Sequence, residues 1–149
     1  ENYYLNLEER NREDYDKQIS EILDEYKVEL VALIGYMRLF SREFVERYKN
    51  KIMNIHPSLL PLFPGIDRNV HQEVLDCGCK ISGCTLFFVD EGKDTGPIIM
   101  QKAVPVYDCD DVDSLKARVQ SAEQRIYPKG IRLYALGKLK VEGKKVLIQ

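Results

Sequence analysis

Val28-Glu29-Leu30-Val31-Ala32-Leu33-Ile34-Gly35 is a nearly continuous apolar run, broken by one glutamate and closed by a glycine. Runs of this kind mark strands buried on both faces, as in parallel sheets. Just upstream, Tyr15, Ile19, Ile22, Leu23 and Tyr26 recur at helical spacing among acids and bases. That pattern predicts an amphipathic helix over residues 11–26. Downstream, Ser41 is placed to cap a short helix whose inner face is Phe44, Val45 and Tyr48. Residues 51–55 read as the next strand. Helix, strand, helix and strand thus alternate from 11 to 55, which argues for an α/β domain with a parallel sheet.

Further along, residues 57–69 hold three prolines and a glycine and predict a long irregular loop. A short helix is expected over 70–76. Apolar runs at 84–89 and 98–106 flank Asp90-Glu91-Gly92-Lys93-Asp94-Thr95-Gly96-Pro97, a strand, a tight polar loop and a strand. Asp111 or Asp113 caps a helix carrying Leu115, Val119, Ala122 and Ile126, which Pro128 should kink or interrupt. A hairpin, 138–141 and 145–148 across Gly143, closes the chain. An α/β domain normally opens on a strand, often with a glycine-rich phosphate loop after it. This sequence opens on an acidic helix and has no Gly-x-Gly-x-x-Gly before residue 30. The expectation is a fold whose N-terminal strands are missing.

The 149 residues suit one domain, 1–149. At 44% hydrophobic and 31% charged, the composition is that of a globular protein and not of a disordered chain. There is no apolar run of about 18 residues and no basic-then-apolar leader at the start, so neither a membrane span nor a secretion signal is read. The four cysteines do not have zinc-ligand spacing, since one residue separates Cys77 from Cys79. They are read as reduced thiols in a cytoplasmic protein. A net charge of −2 gives no basic excess for nucleic acid. Residues 1–25 hold nine acids and three bases, which leaves the remainder mildly basic and suited to a small anionic ligand.

Chemistry concentrates in a few places. Asn54 and His56 lie two apart at the end of the second expected strand, so both face one side. Ligands of open α/β sheets bind at such strand ends. A neutral amide donor beside a titratable one can hold a carbonyl oxygen as it becomes an oxyanion; the plain alternative is a strand-end pair satisfied by backbone. Asp94 could orient a histidine or take up a proton, although an Asp-Thr-Gly sequence is also ordinary turn chemistry. Arg38, with Met37 and Leu39, follows the first strand at the same sheet edge and could pair an acidic ligand; a solvated arginine is the alternative. Glu123 could bind sugar hydroxyls or simply face solvent, and His71 reads as a helix-face residue. No metal cluster is read.

Taken in order, Gly35-Tyr36-Met37-Arg38-Leu39, Asn54-Ile55-His56-Pro57-Ser58-Leu59-Leu60-Pro61, Gly83-Cys84-Thr85, Asp94-Thr95-Gly96-Pro97-Ile98-Ile99 and Ala117-Arg118-Val119-Gln120 resemble the folate-dependent formyltransferases. The Ala-Arg-Val-Gln helix, with Glu123-Gln124-Arg125-Ile126-Tyr127-Pro128, resembles the branch acting on glycinamide ribonucleotide. The resemblance implies a three-layer, Rossmann-like formyltransferase fold with a mixed, mainly parallel sheet. It also implies 10-formyltetrahydrofolate as co-substrate, no metal, and formyl transfer to the ribonucleotide amine in purine synthesis. Asn54, His56 and Asp94 match the family's catalytic trio. Arg38, Leu39, Phe40, Val45, Val89, Asp90 and Asp94 match its folate cleft, and Met37, Pro57 and Glu123 match positions near the ribonucleotide. Three departures stand out: Phe87 where relatives often have histidine, Lys93 where an apolar residue is usual, and about two extra residues in the stretch 64–69. The resemblance leaves two protein partners open, a second copy of the chain or a missing N-terminal half. A formyltetrahydrofolate deformylase and a non-catalytic folate-binding fragment are the alternative functions.

Overall fold

A computed structural model describes residues 2–5, 11–65 and 69–149. Helix α1 (Arg12–Glu25) starts where Asn11 caps the Asp14 amide. It stops at Tyr26, and Lys27 then turns through a left-handed backbone (φ 50°) so that the Val28 amide reaches the Leu23 carbonyl. This wrapped helix end consumes the start of the apolar run. The strand expected over 28–34 is therefore only β1 (Val31–Ala32), and it is not buried on both faces. β1 pairs with β2 (Ile52–His56) alone and forms one edge of the described sheet, leaving Ile34 83% exposed.

Between them α2 (Arg42–Arg47), capped by the Ser41 hydroxyl, makes the crossover that lets β1 and β2 run parallel. The remaining elements are α3 (Val70–Asp76), β3 (Ile81–Phe88), β4 (Ile98–Pro105), α4 (Val112–Ala135), β5 (Leu139–Glu142) and β6 (Lys145–Ile148). Their order across the sheet is β1-β2-β3-β4-β6-β5. The sheet is mixed, as expected, but among the described strands it is not mainly parallel. β1–β2 and β4–β6 are parallel, whereas β2–β3, β3–β4 and β5–β6 are antiparallel. For β3–β4 and β5–β6 the physical reason is connection length: those loops are too short for a crossover and must fold straight back. β3 also begins three residues before the expected strand, because Gly83 lies so close to β4 that an added Cβ would sit 2.2 Å from the Lys102 carbonyl oxygen.

The sheet buries both faces, and alternation along β2 shows how. Ile52 packs with Leu33, Phe44 and Tyr48, against α1 and α2. Its neighbour Met53 packs with Leu86, Phe88, Leu115 and Val119, against α4. Helices on both sides give three layers. α4 runs unbroken through Pro128, contrary to the expected interruption. Proline removes one ladder hydrogen bond, and the buried neighbours Ile126, Tyr127 and Gly130 hold the helix on the sheet across that point. The Tyr127 hydroxyl shares its one proton between the carbonyls of Leu33 (2.8 Å) and Met53 (2.9 Å), joining α4 to the first two strands. Arg118 makes two short bonds to Asp110 (2.6 and 2.7 Å) and one to the Pro105 carbonyl, fixing the start of α4 to the end of β4. No helix among the described residues is long and apolar enough to cross a membrane.

Candidate active site

His56 is the last residue of β2 and is 6% exposed. Its Nε2 lies 2.7 Å from the Phe63 carbonyl oxygen, and its Nδ1 lies 3.5 Å from Asp94 Oδ2. A carbonyl only accepts, so Nε2 carries a proton and donates. Any bond toward Asp94 then uses a proton on Nδ1. At 3.5 Å that contact is long for a direct hydrogen bond. Asp94 Oδ2 also accepts from the Gly65 amide at 2.8 Å. One carboxylate oxygen thus joins the histidine to the loop that follows it.

That loop is held by the sheet. The Thr85 hydroxyl donates to the Ser58 carbonyl (2.7 Å) and accepts from the Leu60 amide (3.0 Å). The Gln101 side-chain amide adds bonds to the Leu60 carbonyl (3.0 Å) and Thr85 (2.9 Å). The Gly-Cys-Thr string of β3 is therefore the floor of the loop that presents Phe63 and Gly65. Residues 66–68, part of the long irregular loop expected from the prolines and of the stretch with extra residues, lie outside the described residues.

Asp94 sits in the loop between β3 and β4 with a left-handed backbone (φ 54°). Asp and Asn tolerate that region better than most residues, but it still needs holding in place. Within the loop, Asp90 Oδ1 accepts from the Gly92 amide (3.1 Å) and the Thr95 hydroxyl (2.7 Å), while Oδ2 accepts from Lys144 (2.8 Å). Burial pushes the Asp90 carboxyl up, but these bonds from Lys144, Thr95 and Gly92 outweigh it and hold the group below its usual value.

Arg38, Leu39, Phe40, Val45, Asn54, Val89, Asp90 and Asp94 all line one cavity of about 100 Å³. Tyr36, Phe87, Lys93 and, from α1, Arg12 are among its other lining residues. Asn54 enters from β2, two residues before His56 and opposite Phe87 on β3. Arg38 is spread over the Tyr15 ring at 5.1 Å, and among the described residues its buried Nη1 has no hydrogen-bond partner. A buried guanidinium nitrogen without a partner is costly, so a polar or anionic group entering this cavity gains by pairing with it. Tyr36 is pushed well above the ordinary tyrosine value by burial first and by the charge of Asp16 next, and stays a neutral donor on the cavity wall. Val45 and Val89–Gly92 also border a larger open groove of about 620 Å³, whose other side includes Glu46, Lys49, Val141 and Lys144.

The remaining expected residues lie elsewhere. Met37 is 58% exposed, and Pro57 follows His56 outside the cavity lining. Glu123 is on α4 beside Cys84; burial raises its carboxyl above the usual value. Sequence reasoning missed the Phe63 carbonyl and the Gly65 amide, which act through the backbone and leave no side-chain signature. It also missed Arg12, Tyr36 and Lys144, which reach the region only once α1 and the last hairpin are packed.

A histidine–carboxylate pair and an asparagine two residues upstream thus lie at a strand end beside a lined cleft, an arrangement compatible with polar acyl chemistry. Residues 4–131 match the formyl transferase family, and the chain belongs to it. It is 41% identical over 131 residues to phosphoribosylglycinamide formyltransferase of Escherichia coli (strain K12), covering 88% of this chain and 61% of that enzyme. It is 45% identical over 132 residues to the trifunctional purine biosynthetic protein adenosine-3 of Bos taurus, covering 89% of this chain and 13% of that protein. The crystal structure of glycinamide ribonucleotide transformylase 1 from Symbiobacterium toebii superposes with a TM-score of 0.87 at 47% identity, covering 93% of this chain and 64% of that one. The chain thus spans less than two thirds of the length of these relatives.

Proposed function

We propose that this chain carries the formyl-transfer site of a glycinamide ribonucleotide formyltransferase of purine biosynthesis, acting in the cytoplasm. The observation that carries the reading is the His56–Asp94 pair, 3.5 Å apart, with Asn54 on the adjoining cavity wall. In this reading 10-formyltetrahydrofolate enters the cleft formed by Arg38, Leu39, Phe40, Val45, Val89 and Asp90. The ribonucleotide lies toward Met37, Pro57 and Glu123. Its amine attacks the formyl carbon, and the carbonyl oxygen becomes an oxyanion. The Asn54 amide and the Nδ1 proton of a doubly protonated His56 donate to that oxyanion as it forms. Asp94 balances the imidazolium charge and, directly or through water, takes the proton that the attacking nitrogen loses. Collapse of the tetrahedral intermediate breaks the bond to N10 of the folate, which leaves with a proton, and gives the formamide.

Arg38 supports the anionic, heteroatom-rich co-substrate over an apolar ligand, because its buried Nη1 needs a partner. The test is turnover. Purified chain is mixed with 10-formyltetrahydrofolate, with and without glycinamide ribonucleotide, and tetrahydrofolate release is followed, with His56→Ala as control. Product that requires both the ribonucleotide and His56 supports the transferase. Product without the ribonucleotide replaces it with a deformylase. Saturable folate binding with no product replaces it with a binding fragment.

A further inference from the structure

Lys144 lies in the turn between β5 and β6, far in sequence from the residues above and outside the cavity lining. Its Nζ donates to Asp90 Oδ2 at 2.8 Å and to the Thr95 carbonyl at 2.6 Å. Asp90 and Thr95 are the two ends of the six-residue strap that contains Asp94. The same two ends are bonded to each other, Thr95 hydroxyl to Asp90 Oδ1 at 2.7 Å. Lys144 therefore closes a three-membered clamp, with the left-handed Asp94 as the residue held between its jaws.

The clamp has a fixed anchor. β6 runs parallel to β4 with Lys145 opposite Ile98, so the backbone beside Lys144 is fixed to the strand that leaves the strap. The strap itself is tightly drawn. A Cβ on Gly92 would fall 2.0 Å from the Thr95 hydroxyl, and a Cβ on Gly96 would fall 1.7 Å from the Phe88 carbonyl oxygen. Exposed ion pairs alone contribute little to stability. This one is different in kind, since a single ammonium bridges a carboxylate and a main-chain carbonyl across a bent loop, so its effect falls on loop geometry.

We infer that Lys144 is a positioning residue for Asp94: by tying Asp90 to Thr95 it sets the distance between the Asp94 carboxylate and His56. The inference rests on the transferase reading for its kinetic consequence, but its structural consequence can be read without activity. Asp94 Oδ2 takes the Gly65 amide at 2.8 Å, so protection of that amide from hydrogen exchange reports where Asp94 sits.

The experiment compares the parent chain with Lys144→Met and Lys144→Arg. Site-resolved hydrogen exchange is measured at Gly65, thermal unfolding serves as a check, and kcat and KM are taken with 10-formyltetrahydrofolate and glycinamide ribonucleotide. Lys144→Met is expected to speed exchange at Gly65 at least about tenfold and to lower kcat about tenfold. The loss should fall more on kcat than on KM for the folate, whose proposed cleft includes Asp90, and the unfolding temperature should barely move. Lys144→Arg, which keeps a cationic donor, restores most of both losses. Exchange at Gly65 within twofold of the parent in Lys144→Met overturns the inference. So does a loss that Lys144→Arg fails to restore, because that assigns the effect to hairpin packing. If the parent chain transfers no formyl group, the transferase reading fails, while the exchange result still decides the role of Lys144.

Discussion

Replacing Tyr127 with phenylalanine removes one oxygen from the place where α4 meets the first two strands. The hydroxyl's one proton is shared between the Leu33 carbonyl at 2.8 Å and the Met53 carbonyl at 2.9 Å, and the residue is 8% exposed. The two losses are unequal. The Met53 carbonyl also accepts from the Leu33 amide at 2.9 Å and keeps that partner. The Leu33 carbonyl lies just past the end of β1, and Tyr127 supplies its donor. A buried acceptor left without a donor costs about 1–3 kcal/mol, and a shared one costs less. The expected total is about 2 kcal/mol, with little cavity cost because the ring stays. At about 2–4 °C per kcal/mol for a chain of this size, the unfolding temperature should fall by about 4–8 °C. Far-ultraviolet circular dichroism melts, with urea titrations to check that the slope is unchanged, measure this directly. A fall of less than 1 °C would refute the reasoning, by showing that water or relaxation satisfies Leu33 as well as Tyr127 does.

Other predictions test the site and its scaffold. Asp94→Asn should lower kcat by about 100-fold, since it keeps the shape but removes the carboxylate charge that the proposed mechanism uses, and its melting temperature should stay close to the parent's; a kcat within threefold of the parent contradicts the proposed role. Gly96→Ala should cost roughly 3 kcal/mol or more, because its Cβ would meet the Phe88 carbonyl oxygen at 1.7 Å; an unchanged melt would show that the strap can shift. His71 is buried, and desolvation, followed by the charge of Lys116, pulls it below the ordinary histidine value. Its folded form binds a proton less readily than the unfolded chain, so its stabilising effect is complete above about pH 6.5 and is lost as the pH falls below that. Melting temperature should therefore drop more steeply from pH 7 to 5 in the parent than in His71→Gln, and parallel curves would contradict this.

Local pattern determined much of this protein. Helical spacing placed α1 within a residue or two, and the Ser41 and Asp111 caps placed the starts of α2 and α4, because capping and periodicity are short-range effects. The spacing of two between Asn54 and His56, and the bounded polar loop around Asp94, marked the candidate residues for the same reason. Where long-range packing competed, local pattern failed. The run at 28–34 has the composition of a central strand, yet the end of α1 and an edge position reduce it to two residues. Strand direction depended on which strands the connections could reach, and nothing in an apolar run encodes its neighbour's direction. Pro128 marks a break by its chemistry, and burial of Tyr127 and Gly130 against the sheet overrides it.

The site divides along the same line. Residue types, spacings and the resemblance they carry could name Asn54, His56 and Asp94, because side-chain chemistry is written in the sequence. Only the folded chain could bring residues 56 and 94 to 3.5 Å, supply the Phe63 carbonyl and the Gly65 amide, and lay Lys144 across the strap. Those groups act through backbone atoms or across distant hairpins. Their positions are fixed by strand register and loop closure, which are properties of the whole sheet and of no single segment.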